Sequence, residues 1–421
     1  MSSNYNPTFN PKWQQTDLYS IAQWFNGLAF KNIHFEASGK YPIIKINELK
    51  YGITSQTAFT NQQFDENSKL VEGDLLFSWS GSPETSIDAF WYKLKDGWLN
   101  QHIFKIKTQD FITPEFVYYL LKYIKPEIIR IAKDKQTTGL GHITKGDMRQ
   151  LIISYPSIEE QIKLISCIKS FDEKIENNLK SNQTLEKIAR TIFVEWFVNF
   201  NYPNANESKK ESEFGDIPAD WQILGIGEVC YVQNGYAFKS IDFNEDGEIG
   251  IIKIKNISGN VVDIEKTDFV NPNVIEKLDN KFRIESGSML IAMTGAEVGK
   301  IGLVPLTEKN LWLNQRVGMF KEKIAFGNLF MYLLLSSDTY QTNIQNSASG
   351  SAQPNISASV IESIRAIIPP ADLIENFGNI VKPMFDKILD NLAENETLKI
   401  TRDSLLPKIM SGKIDVNSSN E

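Results

Sequence analysis

The stretch NGLAFK at 26–31 returns as NGYAFK at 234–239, and that recurrence constrains the fold more than any other feature of the chain. A tryptophan stands 13 residues upstream of each copy, Trp13 and Trp221, and IIKINEL (43–49) is answered by IIKIKNI (251–257). One hexapeptide repeats by accident; three matches at a single offset of 208 residues mark a duplication.

The second half continues the register. EGDLLFSWSG (72–81) matches SGSMLIAMTG (286–295) and WLNQHIF (98–104) matches WLNQRVG (312–318), both 214 residues apart. EFVYYLL (115–121) answers NLFMYLL (328–334), and TTGLGHITKGDMRQLIISYP (137–156) answers GSAQPNISASVIESIRAIIPP (350–370). The drift of six residues places an insertion in the second copy opposite positions 50–72. Within each block, short apolar runs such as IIKI, GDLLFS and KIGLVPL alternate with Gly, Asn and Asp, which reads as strands and turns. Residues 113–134 read as helix, with Thr113 as N-cap and Pro114 at the first position.

Each block is followed by a different texture. From Ser157 to Phe200 there is neither Gly nor Pro, and apolar residues from Ile158 to Trp196 fall at steps of three and four. That spacing predicts one long helix with a narrow coiled-coil seam, capped by Ser157 with Glu160 as capping-box partner. A second such segment runs from about Ala371 to Met410, with Pro383 expected to kink or restart it. Each helix needs a partner for its seam, and the obvious partner is the other. Aligned on LKSNQTL and LAENETL, both seams read Leu-Asn-Leu, so Asn182 and Asn395 are expected to fix register or to turn outward to solvent. The fold class expected is therefore α/β: two duplicated mixed α/β domains separated by two long α-helices packed as an antiparallel coiled coil. The boundaries read 1–156 for the first domain, 157–200 for the first helix, 201–220 for a linker, 221–369 for the second domain and 370–421 for the second helix.

Composition narrows the function. In 421 residues, 42% hydrophobic content is that of globular domains, and no apolar run reaches the ~18 residues of a membrane span. The polar N-terminus has no signal-peptide pattern, and two cysteines outside any CxxC pair suit a reducing cytoplasm. Three scattered histidines offer no metal-ligand spacing. Net charge is −8, yet residues 1–156 hold 17 Lys+Arg against 15 Asp+Glu, so acidity is not a property of the whole surface. TGAEVGK (294–300) is one residue short of a phosphate-binding loop, and Glu48-Leu49-Lys50 has no counterpart in the second copy. No nucleophile set and no adenine-methyltransferase motif is present, so a self-sufficient nuclease or methyltransferase is disfavoured. Both copies keep polar segments at matching places, Asn100-Gln101-His102 with Asn314-Gln315-Arg316, and the Gly/Ser/Thr loops 137–145 and 349–357. Such groups supply hydroxyl and backbone donors for phosphates and amide or guanidinium groups for base edges, although Gly/Ser/Thr runs also serve as plain turns.

With NGxAFK, GDLLFS/GSMLIA, the loops ending in GHIT and PNIS, and the transitions YPSIEEQ and IPPADLI in this order, the chain resembles the specificity subunit of a type I restriction–modification enzyme. One departure is ADLIENF, where the family and the first copy have a Glu-Gln pair (Glu160-Gln161). The resemblance implies two target recognition domains, each reading half of a split DNA site, with the helices setting the spacing. It implies as partners double-stranded DNA, two methyltransferase subunits modifying adenine N6, and restriction/translocase subunits. It implies no cofactor in this chain, with S-adenosylmethionine, ATP and Mg²⁺ on the partners. Candidate DNA contacts are Lys45, Asn100, Gln101, Lys135, Thr137, Thr138, His142 and Lys145 in the first domain. In the second they are Lys253, Lys255, Lys300, Asn314, Gln315, Arg316, Ser351, Gln353 and Asn355. In NGxAFK the Gly is read as a turn and Ala-Phe as framework packing. A two-headed protein-binding scaffold is the rival reading, favoured by the net charge.

Overall fold

The computed structural model describes residues 7–36, 39–136, 139–205, 208–257, 259–348 and 354–414. Contacts gather Met1–Glu173 with Leu398–Glu421 into one unit and Lys174–Thr397 into the other.

In the first unit, LLFS at Leu75–Ser78 is buried at all four positions, as an unbroken apolar run with both faces covered should be. It lies inside an antiparallel sheet of order Ala22–Asn26, Ile103–Thr108, Leu75–Ser78, Asp88–Trp91. A second sheet runs Phe59–Thr60, Tyr41–Ile44, Gly97–Leu99, Lys69–Leu70, and its central pairing is parallel. Gln14–Asp17 pairs with Ile152–Tyr155, closing the start of the block on its end.

The second unit repeats the plan strand for strand. Cys230–Asn234, Val317–Glu322, Met289–Ala292 and Ile301–Leu303 form the antiparallel sheet. Asp268–Val270, Ile249–Ile252, Asn310–Leu313 and Arg283–Ile284 form the other, again with a parallel centre and with Phe243–Asn244 added at its edge. Gln222–Gly225 pairs with Arg365–Ile368. Register locates the insertion in two steps. Tyr41 pairs with Thr60 as Ile249 pairs with Val270, and Lys69 pairs with Trp98 as Arg283 pairs with Trp312. The offset thus grows from 208 to 210 before the first of these partners and to 214 after it.

Two 40-residue helices follow the blocks, Ile158–Phe197 and Ala371–Met410, each about 60 Å long at ~1.5 Å per residue. The second helix does not restart at Pro383 but runs through it. Proline removes a single rung, and Val381 and Phe385 on either side are 0% and 3% exposed, so burial of this turn outweighs the loss. The segment read as one helix over 113–134 is instead two, Pro114–Tyr123 and Lys125–Asp134, divided at Ile124 ahead of Pro126.

Within the second unit the long helices are antiparallel. Asn178 donates to Asn395 Oδ1 at 2.9 Å and Asn391 donates to Asn182 Oδ1 at 2.7 Å, so one number rises as its partner's falls. Both asparagines named from the sequence therefore face the partner helix. Each bonds to one the sequence reading missed, because Leu179 looked like the seam residue and is in fact 46% exposed. Asn178 and Asn391 are 4% and 1% exposed, and they occupy equivalent places in the two copies, as do Asn182 and Asn395. The four amides are thus related by a local twofold. Beyond them Phe193, Trp196, Phe197, Phe330 and Phe377 form an aromatic cluster with centroids 4.9–5.9 Å apart. In the first unit, Asp172 of the first helix accepts from Arg402 of the second at 2.6 Å and from Tyr119 at 2.5 Å. Ile409 and Met410 are buried there beside Leu164, Ile168 and Phe116.

The helix starts differ, as ADLIENF suggested. Ser157 Oγ caps Glu160 N at 3.3 Å, but the Glu160 carboxylate accepts from Trp13 Nε1 at 3.2 Å instead of completing a capping box. Gln161 is 0% exposed, donates to Phe111 O and Pro156 O, and accepts from Thr113 N. In the second copy Leu373 and Ile374 replace the pair, and the Trp221 indole N–H is buried with no partner.

Candidate nucleic-acid interface

The two most repeated motifs meet. A Cβ on Gly27 would lie 2.1 Å from Asn100 O, and one on Gly235 would lie 2.2 Å from Asn314 O. Neither glycine has positive φ, so the reading of a turn is replaced by one of close approach between NGxAFK and WLNQ. Leu28 N donates to Leu99 O and Gln101 N to Leu28 O; Tyr236 N donates to Leu313 O and Gln315 N to Tyr236 O, each at 2.8–2.9 Å. Phe30 and Phe238 pack as framework, Phe30 against Phe64 and Phe238 at 8% exposure, whereas Ala29 and Ala237 are exposed.

The pinned turn carries Gln315 and Arg316 in the second unit. It lies beside the strand end at Met293 and Thr294, since Met293 N donates to Arg316 O at 3.0 Å. Asn355 bridges Thr294 from the other side, and Ile356 N donates to Met293 O at 2.9 Å. These residues line one open cleft of about 240 Å³. Thr294 is 4% exposed and its hydroxyl has no partner. In the first unit the same backbone bonds recur, from Trp79 N to His102 O at 3.2 Å and from Ile143 N to Trp79 O at 2.9 Å, while His142 pairs with Ser80. The equivalent positions are Trp79, Ser80, Gln101, His102 and His142. One scaffold thus carries two side-chain sets that share only the glutamine.

Of the candidates read from the sequence, the structure brings together Gln315, Arg316 and Asn355 in one unit, and sets Gln101 and His142 on the matching scaffold in the other. Asn100 and Asn314 lie against NGxAFK, bridged to Leu28 and Tyr236 through the bonds of their chain neighbours, and their own N–H groups donate to Ile44 O and Ile252 O. Lys135 pairs with Asp147, Lys300 with Glu297, and Lys253 and Lys255 both with Asp268 at 2.7 and 2.8 Å. Lys253 also lies 3.4 Å from the Phe243 ring centroid. Lys45 begins a short helix, its N–H bonded to the buried Glu48, and Lys145 lies over the Tyr19 and Phe104 rings. Thr137, Thr138, Ser351 and Gln353 lie outside the described residues. The sequence reading singled out the segment holding His102 without naming it a contact, and it missed Trp79, Ser80, Met293 and Thr294. The signal was their place at the ends of the matched strands GDLLFSWS and GSMLIAMT.

The lysine pairs shape the local electrostatics. Burial pushes Asp268 and Asp147 up, but bonds from Lys253 and Lys255, and from Lys135 and Thr144, outweigh it and hold both carboxyls below the usual range. Among the described residues there is no group of three or more His, Cys, Asp or Glu able to hold a metal, and no helix long and apolar enough to cross a membrane.

Comparison with known proteins follows the same division. The family described as type I restriction modification DNA specificity domain matches residues 10–187 and again 218–399. The MjaIX specificity subunit of a type I restriction enzyme from Methanocaldococcus jannaschii is 30% identical over 326 residues, covering 75% of this chain and 73% of its own. The MjaVIII specificity subunit of the same organism is 26% identical, covering 91% and 88%. The crystal structure of a type I restriction–modification S subunit from M. genitalium superposes with a TM-score of 0.56 at 18% identity, covering 97% of each chain, which supports the fold. The chain belongs to the type I restriction–modification specificity subunit family, whose members are non-catalytic components of their restriction systems.

Proposed function

We propose that this chain reads an asymmetric, two-part DNA site, one half through each cleft, and presents it to methyltransferase and restriction/translocase subunits. The observation that carries the reading is one backbone scaffold repeated in both units with different side chains mounted on it: common backbone for docking, separate chemistry for recognition. Two half-sites read by different side chains give a sequence without twofold symmetry, and the shared long helices set the interval between them. The methyltransferase partners act at adenine N6 with S-adenosylmethionine, which requires base flipping, and ATP and Mg²⁺ belong to the translocase. This places the work in the cytoplasm, with the DNA.

Methylation sequencing of a genome exposed to this subunit together with its cognate methyltransferase tests the proposal. The expected result is a split, non-palindromic motif with methylated adenine; a palindromic motif, or none, overturns it. The scaffold reading is separated by salt titration of duplex binding to the assembled complex, which falls steeply with salt only if phosphate counterions are released.

A further inference from the structure

We infer that Arg316 reads a guanine in the major groove, and that only the second half-site carries this requirement. The inference rests on the DNA-reading role proposed above and names one ligand for one cleft.

Arg316 has no carboxylate partner among the described residues; Arg130, Arg190, Arg365 and Arg402 are in ion pairs, and of the other two without one, Arg149 lies over the Tyr19 ring and Arg283 is in the strand Arg283–Ile284, away from this cleft's lining. The five residues that precede Pro354 in the sequence, Ser-Gly-Ser-Ala-Gln at 349–353, contain no acid either. A guanidinium left unpaired within a polar cleft can meet a ligand without first breaking an ion pair. The turn that carries it is fixed at three points: Gln315 N to Tyr236 O at 2.8 Å, Val317 N to Asn314 O at 2.9 Å, and Met293 N to Arg316 O at 3.0 Å. A planar fork delivered from a rigid turn suits bidentate recognition, since its parallel donors are already set in one plane.

Two acceptors side by side match that fork, and guanine presents them in the major groove as O6 and N7. A phosphate also matches, but the surroundings favour a base. Gln315 and Asn355, which line the same cleft, are neutral amides of the kind that read base edges. The nearby Lys300 is already neutralised by Glu297, and Lys253 and Lys255 by Asp268, so positive charge is not gathered here as a phosphate track would need. The buried, unpartnered hydroxyl of Thr294 adds a further polar group to the same wall. At the equivalent place in the first unit stands His102, its ring 5.6 Å from the Trp79 ring and its Nε2 3.2 Å from the Gln101 amide nitrogen. An imidazole cannot offer two parallel donors to one base edge, so the first unit lacks this contact at the equivalent place.

The test is methylation sequencing with the assembled methyltransferase for wild type, Arg316→Ala and Arg316→Lys, with melting of each variant as a folding control. The expected wild-type motif has a fixed G·C pair in one half. Both variants relax that single position by roughly tenfold to a hundredfold and leave the other half unchanged, since Lys keeps the charge but not the fork. The inference is overturned if Arg316→Lys behaves as wild type, or if Arg316→Ala lowers methylation of all sequences alike, as loss of a phosphate contact would. A wild-type protein that yields no split motif sinks the DNA-reading proposal itself, which is a different outcome.

Discussion

Trp13 and Trp221 occupy equivalent places and are both buried, yet only one has a partner for its indole N–H. Trp13 donates to Glu160, while Leu373 stands where Trp221 would need an acceptor. An unpaired buried donor costs about 1–3 kcal/mol and a made bond contributes about 1 kcal/mol. Replacement by Phe removes ring volume at both sites but removes a hydrogen bond at only one. Trp13→Phe is therefore expected to destabilise the protein more than Trp221→Phe, by about 1 kcal/mol or more. Chemical denaturation of the two variants measures the difference, and equal losses contradict the assignment. Gln161 illustrates the same point on a larger scale: one buried amide satisfies three backbone groups, and the second copy, with Ile374, has to dispense with it.

Among the elements, the long helices were legible from spacing alone, since steps of three and four persist over 40 residues in both. Their inner face was less so. Ile162, Leu179, Ile188 and Ile380 belong to the apolar pattern but are 42–59% exposed, while Asn178 and Asn391 are buried. A one-residue rotation of the stripe exchanges such neighbours, and only the partner helix decides which is inside. The four asparagines make a network in which each amide depends on another. Asn182→Leu leaves the buried Asn391 without its acceptor and is expected to cost about 1–3 kcal/mol. Changing Asn391 to Leu as well removes the stranded group, and the double variant is expected to recover much of that loss. A double-mutant cycle by thermal melting reads the coupling; additive losses contradict it.

For the molecule as a whole, the duplication was legible because identical residues in one register need no knowledge of contacts. The parallel sheet centres, the pairing of block start with block end and the membership of the clefts were not, because each joins residues far apart in the chain. The lysines are the clearest case: Lys253, Lys255, Lys135 and Lys300 look like free cations in the sequence and are ion-paired in the fold. Their partners set the response to acid. Burial pushes Asp88 up, but Lys122 and Lys125 at 2.6 and 2.7 Å outweigh it, and Asp147 and Asp268 are likewise held below the ordinary value. A carboxyl whose folded pKa is depressed stabilises the protein above its unfolded pKa of about 3.9, and that contribution is lost as pH falls through the folded value. The melting temperature is therefore expected to hold between pH 7 and about 4.5 and to drop below about pH 4. A scan with no loss down to pH 3 argues against these pairs as contributors.

The backbone contact of Gly27 with Asn100, and of Gly235 with Asn314, bears on how such a protein changes over generations. A scaffold fixed by main-chain atoms is indifferent to most side chains mounted on it, so the positions that line each cleft can mutate one at a time without threatening the fold. The two glycines are the exception, since any Cβ there collides with a carbonyl. Evolvability is concentrated at the cleft and withheld from the glycine contact that fixes it, which leaves the ability to acquire a new target in the hands of a few residues.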